Sequence, residues 1–180
     1  MIAEDIMTEV LYSEQQIIEK CKELAKVIAK DYENKDVIFI CTLKGAVPFC
    51  TELAKHLNLP LAVEYLKASS YIGNQSSGNV KLTQMTNFEI KDKDILVIED
   101  IVDTGLTGLR LKEFFIEKGA KSFEMVTLLN KECKRIVDFH PKYVGFEIGD
   151  SFVIGYGLDY NEKYRNIPRI GIMNLKYLED

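Results

Sequence analysis

Apolar and polar positions follow two rhythms along this chain, and the places where the rhythm changes mark out its elements. From Ser13 onward the apolar residues Ile17, Ile18, Cys21, Leu24, Ala25 and Ile28 recur at helical spacing on one face. Ser13 and Gln16 have capping-box spacing, so the helix is expected to begin there. Residues 36–43 then form a nearly unbroken apolar run bounded by Lys44 and Gly45, the pattern of a strand buried on both faces. A helix is expected over about 47–56, with Pro48 in its first turn, where its missing amide is tolerated. A strand at about 62–68 leads into a Ser/Gly/Asn-rich stretch, 69–79, which has few apolar anchors and reads as a mobile loop. A second buried strand is expected at 94–99, followed by a glycine turn and a helix reaching Lys118, where Gly119 ends it. Residues 123–129 read as a third strand of the same kind.

This alternation of strand and helix implies an α/β fold with a central parallel sheet flanked by helices. After Pro141 no long helical period appears, only a short apolar stretch and then Gly/Tyr-rich sequence to Arg165. That part reads as a small cap of short strands and loops beside the main sheet. The expected organisation is a single domain, 1–180, with its core at about 13–140 and the cap drawn from the N-terminal segment and about 141–180.

Composition narrows the picture. The 180 residues are 47% apolar and 28% charged, which argues against disorder and suits one domain with a sizeable core. No apolar run approaches the ~20 residues of a membrane span, and the acidic N-terminus lacks the basic region of a secretory signal. A cytoplasmic protein is expected, without membrane or nucleic-acid partners. The net charge of −5 points away from general affinity for nucleic acid. Cys21, Cys41, Cys50 and Cys133 show no CxxC pairing and read as reduced, buried thiols. His56 and His140 lack metal-ligand spacing.

The densest chemistry lies in VIEDIVDTGLTG, residues 97–108. Glu99 and Asp100 stand side by side at the carboxyl end of a buried strand, where open α/β sheets bind their ligands. Asp103, Thr104, Gly105 and Thr107 follow in a turn opening a helix, where free amides, a permissive glycine and two hydroxyls suit a phosphate. Carboxylates for a hydroxyl or a magnesium ion, next to phosphate donors, fit a sugar phosphate. Acidic residues after a strand often only cap a helix, but two in succession and a third before Thr-Gly-x-Thr exceed that role. An apolar run ending in two acids also fits an ATPase, yet GxxxxGK[ST] is absent and residues 43–46 are too short for a phosphate-binding loop of that type.

The segment resembles the phosphoribosyl pyrophosphate motif of the type I phosphoribosyltransferases. The resemblance extends over most of the chain: residues 43–46 resemble the pyrophosphate loop, and Ser70 and Tyr71, with the polar stretch after them, resemble the loop that closes over the reacting centre. Lys131, Phe152, Val153, residues 157–162 and Arg165 resemble the purine-binding cap of the hypoxanthine–guanine branch. Leu106 stands where some members carry a basic residue, which removes one phosphate contact.

The resemblance implies the type I fold and magnesium-dependent transfer of the phosphoribosyl group from phosphoribosyl pyrophosphate to hypoxanthine or guanine, giving IMP or GMP and pyrophosphate. It implies that Glu99 and Asp100 hold the ribose hydroxyls directly or through Mg2+, that residues 103–107 hold the 5′-phosphate, and that Asp103 is the general base at the purine N7. Lys44, Gly45 and Arg165 would bind pyrophosphate, and the Leu43–Lys44 peptide would be cis. Phe152 would stack on the base and Lys131 would donate to O6, disfavouring adenine, whose amino group also donates. Asp159 would serve a second metal ion and the 2-amino group of guanine. The family, and apolar residues near Phe49 and Cys50, imply a homodimer or homotetramer. Two alternatives stand beside this reading: a xanthine-preferring enzyme of the same fold, and a nucleotide-sensing regulator, which would call for a basic stripe or an appended module.

Overall fold

The computed structural model describes residues 5–70, 80–84 and 88–178. Its first element, β1 (Met7–Tyr12), is a strand that the local pattern did not announce. The capping box then forms as expected: the Gln16 amide donates to Ser13 Oγ at 3.3 Å and the Ser13 amide to Gln16 Oε1 at 2.9 Å. It opens α1 (Glu14–Asp31), which buries Ile17, Cys21, Leu24, Ala25 and Ile28.

The chain continues through β2 (Val37–Leu43), α2 (Val47–His56), β3 (Ala62–Ser70), β4 (Val80–Gln84), β5 (Asp94–Val102), α3 (Leu106–Glu117), β6 (Ser122–Asn130) and β7 (Tyr143–Glu147). These strands form one sheet in the order β4-β3-β2-β5-β6-β7. All its pairings are parallel except that of β4 with β3. Successive residues of β2 point to opposite faces, as a pleated strand requires. Phe39 and Cys41 pack with α1 and α2, and Ile38 and Ile40 with α3. Helix α3 ends as Gly119 predicts: with φ +84°, Gly119 donates to the Ile116 carbonyl at 2.9 Å and Ala120 to Phe115 at 3.0 Å.

Four expectations change. Ser69 and Ser70 lie in β3, paired with Lys81 and Val80 of the unexpected β4, rather than in a loop. Residues 71–79, with Tyr71, lie outside the described residues. The stretch after Pro141 is not wholly cap: β7 pairs with β6, Val126 opposite Tyr143, and covers that edge of the main sheet. Cys133 is exposed, because the turn Glu132–Lys134 carries it on the surface, while Cys21, Cys41 and Cys50 are buried. Phe49 and Cys50 are buried in the chain's own core, so these two residues offer no exposed apolar surface.

The cap is a small antiparallel sheet in the order β1-β9-β8, built from β8 (Val153–Ile154) and β9 (Ile170–Met173) with β1. Ile6, Ile154, Ile167 and Met173 form its own buried cluster. Among the described residues no helix is long and apolar enough to cross a membrane. In the main sheet the connection from β2 leads outward to β3 and that from β5 leads the other way to β6. Their carboxyl ends therefore flank the switch point where doubly wound sheets open a crevice.

Candidate active site

A cleft of about 280 Å³ opens at that switch point. It is lined by Lys44 and Gly45 after β2, by Glu99, Asp100 and Asp103 from β5 and its exit, by Gly105 and Thr107 at the start of α3, and by Asp159 and Arg165 from the cap. Nine of the sequence-derived site residues thus share one cavity. The Leu43–Lys44 peptide is cis, as the resemblance implies.

Glu99 is drawn into the floor of the cleft. Thr42 Oγ1 lies 2.9 Å from Glu99 Oε1 and 2.9 Å from the Ile98 carbonyl. Desolvation, and then the adjacent Asp100 carboxyl, hold the Glu99 carboxyl well above the usual carboxylate range. The Thr42 hydroxyl, near the end of β2, is shared between the Glu99 carboxyl and the Ile98 carbonyl and ties the acid to the neighbouring strand. Asp100 is pressed against the turn after β2. A methyl group on Gly45 would sit 1.8 Å from Asp100 Oδ2, so only glycine allows this approach.

The turn into α3 is held from beneath. Gly105, with φ +83°, is the N-cap of α3, whose first-turn amides have no intrahelical carbonyl to meet. Arg135 donates to the Asp103 carbonyl at 2.8 Å, to Asn130 Oδ1 at 2.5 Å and to Glu132 Oε2 at 3.2 Å. The Ile136 amide donates to the Thr104 carbonyl at 3.1 Å. The Arg135 side chain is only 7% exposed and its Cδ lies 2.9 Å from where a Gly105 Cβ would stand. Arg135 thus fixes the backbone from which Asp103 and Thr104 project. The Asp103 carboxyl itself accepts from the Thr104 amide.

On the facing wall, Arg165 donates to the Gly157 carbonyl at 2.8 Å and pairs with Asp159 at 2.9 Å and Glu162 at 3.2 Å. Glu162 also pairs with Lys44 at 2.8 Å. The Lys44 ammonium, and then the Arg165 guanidinium, hold the Glu162 carboxyl below its usual range. Arg135 Nε and Arg165 Nε are buried without a hydrogen-bond partner among the described residues.

The remaining predicted residues lie outside the cleft lining. Lys131 Nζ donates to the Ser151 carbonyl at 2.8 Å, and Phe152, 43% exposed, meets Tyr160 edge-on at 6.0 Å. Lys131 and Phe152 therefore stand close together beside the cleft. The Val153 side chain is buried in the core, and its backbone pairs with Ile172 of β9. Thr104 in the turn and Leu106 at the start of α3 do not line the cavity, and the side chain of Ser70 is not among those described. Among the described residues no three metal-ligating side chains are grouped to hold a metal by themselves, so Glu99, Asp100 and Asp159 are not a ready-made set. Sequence reasoning missed Thr42, Arg135 and the pairing role of Glu162. Thr42, a polar residue inside an apolar run, carried a usable signal; Arg135 looked like any surface arginine.

Residues 7–161 match the model of the phosphoribosyl transferase domain family. The chain is 46% identical to the hypoxanthine-guanine phosphoribosyltransferase of Lactococcus lactis subsp. lactis, over 92% of this chain and 90% of that one. It is 45% identical to the Bacillus subtilis protein of the same name, over 96% of each. The crystal structure of a hypoxanthine phosphoribosyltransferase from Staphylococcus aureus superposes with a TM-score of 0.93 at 39% identity, covering 98% of this chain and 96% of that one.

Proposed function

The chain belongs to the phosphoribosyltransferase family and, within it, to the hypoxanthine–guanine phosphoribosyltransferases, and we propose that it makes IMP or GMP and pyrophosphate in purine salvage. The observation that carries this reading is the cleft at the switch point, which gathers an acid pair, a helix N-terminus and two cationic side chains.

In this reading Glu99 and Asp100 hold the ribose hydroxyls, and residues 103–107 hold the 5′-phosphate with the amides opening α3. Lys44, Gly45 and Arg165 hold pyrophosphate, for which a guanidinium fork suits the leaving group. Displacement at C1′ by purine N9 passes through an oxocarbenium-like state, so fixed partners on both sides of the ribose and shelter from water favour it. Asp103 takes the proton at N7. Phe152 stacks on the base, Lys131 donates to O6, and the Val153 backbone and Asp159 complete the base site.

Four acidic side chains, Glu99, Asp100, Asp103 and Asp159, line the cleft against Lys44 and Arg165, so a polyanionic substrate meets more acids than cations. The donor chemistry suits magnesium: Glu99, Asp100 and Asp159 would offer it hard oxygen ligands. When bound, it neutralises charge on the departing pyrophosphate. We further propose that residues 1–180 work as one domain in the cytoplasm and as a homodimer or homotetramer. Sedimentation at micromolar concentration tests the last point, and a monomer there refutes it.

The deciding assay incubates the protein with phosphoribosyl pyrophosphate, magnesium and each of hypoxanthine, guanine, xanthine and adenine. IMP and GMP should form with stoichiometric pyrophosphate and adenine should react poorly. Binding of phosphoribosyl pyrophosphate without nucleotide from either 6-oxopurine would instead favour a nucleotide-sensing regulator.

A further inference from the structure

The two cations of the cleft already hold an anion of the protein's own. One oxygen, Glu162 Oε2, accepts from Lys44 Nζ at 2.8 Å and from Arg165 at 3.2 Å, joining residues 118 positions apart. That is the bridging contact a phosphate oxygen would make. Lys44 and Arg165 line the cleft, whereas Glu162 approaches them from outside its lining. The backbone holds Glu162 ready: its φ is +60°, that of Asn161 is +50°, and its amide donates to Asp159 Oδ2 at 2.9 Å. The side chain is 64% exposed, so it can turn into solvent without leaving a buried charge behind.

We propose that Glu162 is an internal placeholder for the leaving anion, holding Lys44 and Arg165 until pyrophosphate displaces it and returning as pyrophosphate departs. This rests on the reading that those two cations bind pyrophosphate. A solvent-exposed carboxylate offers one weakly held charge, whereas pyrophosphate offers several oxygens to the same donors, so the ligand wins the exchange. The placeholder lowers affinity for the anion and shortens its stay. A purely organising role, in which Glu162 presents the two cations to the ligand, makes the opposite forecast for its removal.

The test is calorimetric titration of magnesium pyrophosphate into wild type, Glu162→Gln, Lys44→Gln and the double variant. Two exposed ion pairs correspond to an expected tightening of about 2- to 30-fold for Glu162→Gln, with slower release in stopped-flow displacement. That gain should shrink to about its square root, roughly 1.4- to 5-fold, in the Lys44→Gln background, because only the pair with Arg165 remains. Unchanged or weaker binding by Glu162→Gln overturns the proposal. So does a gain that persists in full without Lys44, which marks a general field effect. Absence of pyrophosphate binding by wild type removes the reading of the site itself, and the placeholder with it.

Discussion

The wall of the cleft formed by β5 and the turn into α3 rests on wholly buried strand residues, Ile95, Leu96 and Val97 among them. The facing wall, 155–165, is held by ion pairs and by left-handed backbone at Gly155, Tyr156, Gly157, Asn161, Glu162 and Tyr164. Non-glycine residues in that conformation cost on the order of 1–2 kcal/mol each, which packing offsets at Tyr156, only 9% exposed. The first wall takes its positions from a close-packed core, which resists displacement. The second is anchored at Tyr156 and Leu158, but its charged groups are held by ion pairs that can be exchanged for a ligand's. In the proposed reading the acids that need fixed geometry sit on the sheet, and Arg165, which would grip and release pyrophosphate together with Lys44, sits on the cap.

Substitutions can break this contrast. The largest effect is expected at the sheet wall: Asp103→Asn should leave the fold and phosphate binding intact and lower kcat by ~10²–10⁴-fold, because an amide cannot take the N7 proton. Single-turnover kinetics check this, and an unchanged chemical step removes Asp103 from the base role. Arg135→Met removes the charged donation to the Asp103 carbonyl, worth ~1.5–3 kcal/mol. The KM for phosphoribosyl pyrophosphate should rise ~10–150-fold and that for hypoxanthine much less. Equal loss for both substrates, with an unchanged melting curve, would deny Arg135 its hold on the turn.

Beside the cap the effect should be selective. Lys131 has three donors and can keep the Ser151 carbonyl while serving a purine O6. Lys131→Ala should lower kcat/KM for hypoxanthine and guanine alike by up to ~10–150-fold and raise adenine relative to both. A preference among the four bases that does not move leaves Lys131 as a tether for residue 151. Smallest is Gly105→Ala, where the left-handed φ costs a side chain about 1–2 kcal/mol and the Arg135 side chain must give way by a few tenths of an ångström. Fluorescence titration should show phosphoribosyl pyrophosphate binding weakened by roughly 5- to 30-fold, and full affinity would show that the turn yields.

The same contrast explains what was legible in the sequence. Burial on both faces writes a continuous apolar run, so β2, β5 and β6 were readable, as were the Ser13 cap, Pro48 and the stop at Gly119. The site residues of the sheet wall followed from their place at a strand's end. β1 and β4 were missed, and β7 was assigned to the cap, because an edge strand is defined by a distant partner and a short run carries little pattern. Arg135 was invisible for a related reason: its importance comes from an orphaned backbone carbonyl thirty-two positions away. Nor could the link from Lys44 to Glu162 leave a local period.

One contact ties the two walls together. A methyl group on Gly157 would lie 2.0 Å from the Gly45 carbonyl oxygen, and one on Gly45 would strike Asp100. The cap thus touches backbone with backbone at the point where the acid pair is packed. For a lineage drifting toward another leaving group, the joint is constrained twice over: a side chain at 157 meets the carbonyl that any residue at 45 would carry, and one at 45 meets the Asp100 carboxyl. Saturation libraries should therefore recover glycine at both sites while the surrounding cap positions diversify, and new specificities will be found around this joint rather than through it.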